Sequence, residues 1–195
     1  VAEPLATYAD LVNRLGCVID QNRAEALLRD ASAAVRRAAG GQIISRVLND
    51  TALIRPCGTS LWLPQYPVLA VDSIVDSDAT AVEFTWELGQ DVAVFSTAHG
   101  HSFERDFLFP PSPLTVVYDH GYEPVPDDII AVVCQVAGRA YGTNPQTTGL
   151  TQESLGAYSY SIGSAAASGP LGLLPGELAI CRAYRRPGRP ISVLT

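Results

Sequence analysis

Methionine is absent from the 195 residues, position 1 included, and we expect that an initiator residue has been removed. Long apolar runs are missing as well: none approaches the roughly 20 residues that a membrane helix needs. No basic segment followed by an apolar stretch opens the chain, so no secretory leader is expected. Cysteine is scarce. Cys17, Cys57, Cys134 and Cys181 stand far apart and form no C-x-x-C pair. Three of them lie in apolar or helical surroundings, which favours reduced core thiols in a cytosol and leaves disulfides open. A basic surplus is lacking: the net charge is −7, whereas a duplex-binding protein needs a positive footprint. Motifs of nucleophilic and nucleotide chemistry are missing too. There is no G-x-S-x-G elbow, no P-loop, no H-E-x-x-H and no dinucleotide fingerprint.

What the chain does have is apolar content, 47%, enough for a packed core in one domain or one domain with a large insertion. Residues 122–141, YEPVPDDIIAVVCQVAGRAY, are its organising stretch. Pro124 and Pro126 hold the approach extended. Asp127 and Asp128 place acceptors and negative charge where a helix leaves its first amides unpaired. Ile129, Ile130, Val132, Val133, Val136 and Ala137 then make a helix that is apolar nearly all round, hence buried. Upstream, Thr7 and Asp10 form a capping-box-like start to a short helix bearing Tyr8, Leu11, Val12 and Leu15, which Gly16 can close. Asp20 opens a longer helix with the stripe Ala24, Leu27, Leu28, Ala31, Val35 and Ala38, ended by Gly40 and Gly41. So short a connection predicts a helical hairpin.

At Gln42 the pattern changes to short runs divided by turn residues. Residues 43–48, 52–55, 60–63, 68–75, 82–88, 92–96 and 114–118 are candidate strands, and their number suggests a small sandwich or barrel. Phe84 and Trp86 alternate with polar residues and fall on one face. Residues 98–113, with three prolines, read as a loop. After the central helix, residues 155–163 carry Tyr158, Tyr160 and Ile162 alternating with serines, a strand or an extended arm. Pro175 opens a last helix with Leu178, Ile180, Cys181 and Tyr184, and Pro187 and Pro190 forbid its continuation. The expectation is an α+β chain. Residues 1–41 and 119–195 form a small helical bundle of N-terminal hairpin, central buried helix and C-terminal helix. Residues 42–118 form an inserted antiparallel β module.

Reactive constellations are weak. His99 and His101 share a face if extended, and Asp106 or His120 would add a ligand for a metal-dependent hydrolase. No further ligand has diagnostic spacing, so an unliganded pair is the reading and no metal or cofactor is expected. Asp72, Asp76 and Asp78 lack the glycine and distal glutamate of a calcium loop and read as a solvated turn. Trp62, Tyr66 and Trp86 would make a sugar platform in a carbohydrate- or host-surface-binding module, although Trp86 looks like core. Arg182, Arg185, Arg186 and Arg189 crowd the C-terminal stretch, either complementing a helix end or docking on an acidic partner.

Several segments, in order, resemble the head–tail connector (adaptor) family of long-tailed bacteriophages, in the version found in phages of actinobacteria. They are YADL at 8–11, DQNRAEALLRDASAAVRRAAG at 20–40, LWLPQYPVLAVDSI at 61–74, VVYDHGYEPVPDDI at 116–129, GAYSYS at 156–161 and PGE at 175–177 running to YRRP at 184–187. The most specific piece is 116–129: a strand, then Gly-Tyr, then a proline-bounded approach to the central helix. The resemblance implies a structural, non-enzymatic virion protein. It would form a ring of about twelve copies under the portal with heterologous contacts. It also implies portal contacts through the C-terminal segment, with Tyr184, Arg185, Arg186 and Arg189 as anchors, and other neck or tail-completion proteins as partners. An acidic ring would let genomic DNA pass without sequence-specific binding. Tyr158, Tyr160 and Ile162 would form an arm that augments a neighbour's sheet. The expected location is the virion neck, after assembly in the host cytoplasm, with no membrane involved.

Overall fold

The computed structural model describes residues 3–56, 60–89, 92–95, 113–142, 152–155, 158–161 and 171–185 of the chain. Among these residues, four helices and an antiparallel three-stranded sheet make an α+β fold. The chain divides into two compact units: Val1–Gln42 with Val125–Thr195, and Ile43–Pro124. Among the described residues no helix is long and apolar enough to cross a membrane.

In the first unit, α1 (Tyr8–Leu15) starts at a complete capping box. Thr7 Oγ1 accepts from the Asp10 amide at 3.2 Å while Asp10 Oδ2 accepts from the Thr7 amide at 2.8 Å. Gly16, at φ +69, closes it as expected for the left-handed residue past a helix end. The next helix, α2 (Gln21–Ala38), begins at Asp20, whose carboxylate accepts from the Arg23 amide. Its buried stripe is Ala24, Leu28, Ala31, Ser32 and Val35; Leu27 and Ala38 are only half-buried. Ser32 is the polar exception. Its hydroxyl donates to Leu28 O and accepts from the Leu5 amide, fastening the N-terminal segment.

The central helix α3 (Asp127–Gly142) buries Ile129, Val132, Val133, Cys134, Val136, Ala137 and Ala140 and leaves Gln135 exposed. It packs on α1, α2 and the last helix α4 (Pro175–Ala183). A Cβ on Gly138 would lie 3.2 Å from Leu15 Cδ2, so the missing side chain allows α1 to approach this closely.

The second unit holds β1 (Val47–Ile54), β2 (Ser60–Trp62), β3 (Val68–Val75), β4 (Phe84–Thr85), β5 (Val92–Phe95) and β6 (Leu114–His120). They form two antiparallel sheets, ordered β1-β6-β3 and β2-β5-β4. On β6 the alternation is clean: Leu114, Val116, Tyr118 and His120 are buried, and Thr115, Val117 and Asp119 are less so. Leu61, Leu63, Val68 and Ile74 complete this core, with Phe84 and Trp86 packed against it.

Three expectations change. Residues 43–48 and 52–55 are not two strands divided by Asn49 and Asp50. Both residues belong to β1, where Asn49 takes φ +51 and its amide donates to Asp119 Oδ1 at 2.7 Å, with a register shift between Val47 and Asp50. The expected strand 82–88 shrinks to Phe84–Thr85. Within the expected strand or arm at 155–163, Tyr158–Ser161 is a strand, β8, and an unexpected strand before it, β7 (Gln152–Leu155), pairs with it antiparallel.

Candidate functional site

The C-terminal helix carries the described part of the expected partner-binding segment, and a short set of polar contacts fixes it. Pro175 occupies the first turn, where its missing N–H costs nothing. Leu174 has no side-chain acceptor to cap the helix; instead Glu177 reaches back, accepting from the Leu174 amide at 2.7 Å. The same carboxylate accepts two parallel N–H bonds from the Arg139 guanidinium, at 2.9 and 3.0 Å. Arg139 also donates to Gly172 O at 2.7 Å. Glu177 is buried, at 6% exposure, so this fork puts a charged pair in a largely desolvated place.

At the other end of α4, the Tyr184 hydroxyl donates to Asp128 Oδ1 at 2.7 Å, and that oxygen also accepts from the Ile129 amide. Thus α4 runs antiparallel to α3, tied by its first turn to the end of α3 and by Tyr184, the residue just past it, to the start. Its apolar attachment is thin: Cys181 is buried and Leu178 half-buried, whereas Ile180, Arg182 and Ala183 face outward. Arg185 crosses Gly40, where a Cβ would come 3.1 Å from the Arg185 Nε.

Of the expected portal anchors, Tyr184 therefore spends its hydroxyl inside the subunit, and Arg185 lies against the loop that ends α2. Arg186 and Arg189 lie outside the described residues. So do His99, His101, Asp106 and Ile162, and with them the alternative metal site. Tyr158 and Tyr160 are placed by register alone, opposite Leu155 and Glu153.

His120 is described, and it is a core residue. It is buried on the face of β6 that carries Tyr118, ring centroids 5.2 Å apart, with Nε2 3.1 Å from Asp50 Oδ2. Burial pushes its pKa down, and Asp50 and Asp119 only partly oppose that. Among the described residues no three His, Cys, Asp or Glu side chains gather as a metal site. Asp76, expected in a solvated turn, accepts from the amides of Asp78 and Thr80, a local turn lock. Trp86 packs on the β core, and Trp62 and Tyr66 are half-buried, which leaves little of a flat aromatic platform.

No known family model matches the chain, and no curated protein does.

Sequence reading missed the Arg139–Glu177 fork. The available signal was a lone arginine in the last turn of an otherwise apolar helix. A cation there already complements the helix end, so the position alone did not call for a carboxylate partner.

Proposed function

We propose that the chain is a structural subunit of a phage neck: a head–tail connector that assembles as a ring under the portal and joins the DNA-filled capsid to the tail. In this reading the helices make a small bundle of N-terminal hairpin, central helix and C-terminal helix, and the β unit is its insertion. The observation that carries it is the segment 116–129. There β6 ends at His120 and Gly121 turns at φ +93. A Cβ on Gly121 would fall 2.3 Å from Ser45 O. The Gly121 amide donates to Pro67 O, the Tyr122 amide to Ile44 O and the Arg46 amide to Tyr122 O, after which Pro124 and Pro126 lead into α3. Within that segment the local geometry demands glycine at position 121.

The role needs surfaces and no reactive group, no cofactor and no membrane. The outward face of α4 with Tyr184, Arg185, Arg186 and Arg189 meets the portal; Tyr and Arg are the side chains that dominate interface energies. Tyr158, Tyr160 and Ile162 serve contacts between copies, about twelve in a closed ring. Other neck or tail-completion proteins bind below. Genomic DNA passes through, kept from adhering by the negative net charge. The subunit is made in the host cytoplasm and ends in the neck of the virion.

Electron microscopy of particles made without this protein tests the proposal. Filled heads and separate tails are expected; complete, infectious particles would refute it. Solution mass with and without the portal protein is the companion measurement.

A further inference from the structure

His120 ends β6 at a corner where the sheet is interrupted on both sides. It pairs with Val47 on β1 and with Val68 on β3, and each register shifts at the next step, between Val47 and Asp50 and between Val68 and Ala70. Leu48 and Asn49 thus share the place opposite Asp119, and Leu48 is exposed. Such bulges disrupt the backbone ladder locally. Side chains fill in: the Asn49 amide donates to Asp119 Oδ1 at 2.7 Å, and His120 Nε2 lies 3.1 Å from Asp50 Oδ2. Beyond the bulge the pairing is regular, Asp50 to Ile54 with Tyr118 to Leu114, over the core of Leu61, Leu63, Ile74, Leu114, Val116 and Tyr118.

The ring that holds this corner is suited to one protonation state. Asp50 can only accept while ionised, so Nε2 carries the proton of the neutral ring. Nδ1 is then a bare acceptor, fully buried and without a hydrogen-bond partner among the described residues. A second proton turns Nδ1 into a donor with nothing there to receive it, and puts a cation where the side chain is 1% exposed. Asp50 answers that charge from the Nε2 side alone, and Asp119 adds to it from the neighbouring position. Tyr118 stacks beside the ring, Val47 and Val68 flank it, and Arg46 is paired with Glu123. Water, reached by opening the corner, is the better place for the charged ring.

We propose that this corner is an acid-opened latch: a proton on His120 parts the end of β6 from Val47–Asn49 and from the crossing at Gly121 and Tyr122, while Leu114–Tyr118 stays in the sheet. The crossing is short. It rests on the Gly121 amide to Pro67 O, the Tyr122 amide to Ile44 O and the Arg46 amide to Tyr122 O. Opening therefore needs few bonds to break and leaves the apolar core covered, as local unfolding of a sparsely bonded region does. The latch is a property of the β unit and is independent of the connector reading.

Hydrogen–deuterium exchange of the full chain tests it, from pH 7.5 to 5.0, with labelling times scaled to the intrinsic exchange rate. Amides of Arg46, Asn49, Gly121 and Tyr122 should lose protection by up to about tenfold for each pH unit below about 6.5, levelling off below the folded value of His120. Amides of residues 114–118 should hold theirs. In His120→Gln, whose amide can still donate to Asp50 but does not titrate, the corner should show no pH dependence. Nitrogen-15 spectra of the wild-type histidines give a readout that needs no variant: His120 should be the Nε2–H tautomer at pH 7.5 and titrate below about 6.5. Equal protection of the corner at both ends of the pH range overturns the proposal. So does the same loss in His120→Gln, a parallel loss at 114–118, or an Nδ1–H tautomer.

Discussion

Arg139 and Glu177 meet as a parallel fork between α3 and α4, two N–H bonds on one carboxylate, with the carboxylate almost wholly out of water. Removing one partner strands the other. Glu177→Ala is expected to cost about 3–5 kcal/mol, because it also frees the Leu174 amide and leaves a desolvated guanidinium. Replacing both, Arg139→Met with Glu177→Leu, should recover most of that loss, since a buried pair often does no better than apolar side chains of similar volume. Urea unfolding followed by far-UV circular dichroism, which reports the helices, checks both variants. A double variant as unstable as the single one would show that the fork itself contributes the stability.

Gly121→Ala is expected to be among the most damaging single-atom-group changes in the β unit. The residue combines φ +93 with a Cβ position 2.3 Å from the Ser45 carbonyl oxygen. Gly89 provides the control: φ is +90, but nothing lies within 4 Å of its added Cβ. Gly89→Ala should cost about 1–2 kcal/mol, the backbone term alone. Gly121→Ala should exceed it clearly, because backbone must move. Thermal unfolding followed by tryptophan fluorescence is a selective readout, since Trp62 and Trp86 both lie in the β unit.

How far the sequence could be read depends on the distance over which each feature is decided. Thr7 with Asp10, Gly16 and Asp20 are settled within four residues, and all three act at the helix ends where they were expected. The alternation placing Phe84 and Trp86 on one face is equally local, and both pack on the β core. Asn49 misled because its left-handed turn is held by Asp119, 70 residues away, inside a strand rather than between two. Gln152–Leu155 is polar and shows no strand pattern; it becomes a strand by pairing with Tyr158–Ser161. At the candidate site, the start of α4 was legible from Pro175. The capture of the Tyr184 hydroxyl by Asp128 was not, because no periodicity links residues 56 apart.

Thiol reactivity should follow burial. Desolvation pushes the Cys134 pKa up to about 11 and raises that of Cys181, and both side chains are buried. The thiolate is the reacting form, so both should resist iodoacetamide in the native protein at neutral pH, while exposed Cys17 is modified. In urea the difference should vanish. Peptide mapping by mass spectrometry gives the site-by-site result. Rapid native labelling of Cys181 would mean that α4 detaches far more often than its contacts with α3 imply.

The β unit should lose stability as the pH falls from about 6.5, and His120 should be the cause. Burial lowers its folded pKa, so between the folded and unfolded values the unfolded chain binds more protons. The stabilising contribution is therefore complete above the unfolded value of about 6.5, declines as the pH drops toward the folded value, and is flat below it. Groups facing the ring are Asp50, which accepts at Nε2, Tyr118 stacked beside it, and Asp119; the two carboxylates moderate the effect without reversing it. Asp10 shows the opposite dependence on its own proton: its lowered pKa protects the first unit until the pH falls below about 3.8, well clear of the His120 window. Denaturant unfolding by tryptophan fluorescence from pH 7.5 to 4.5 should show the decline in the wild type and a flatter profile in His120→Gln. Equal slopes in the two proteins would assign the acid sensitivity to other groups.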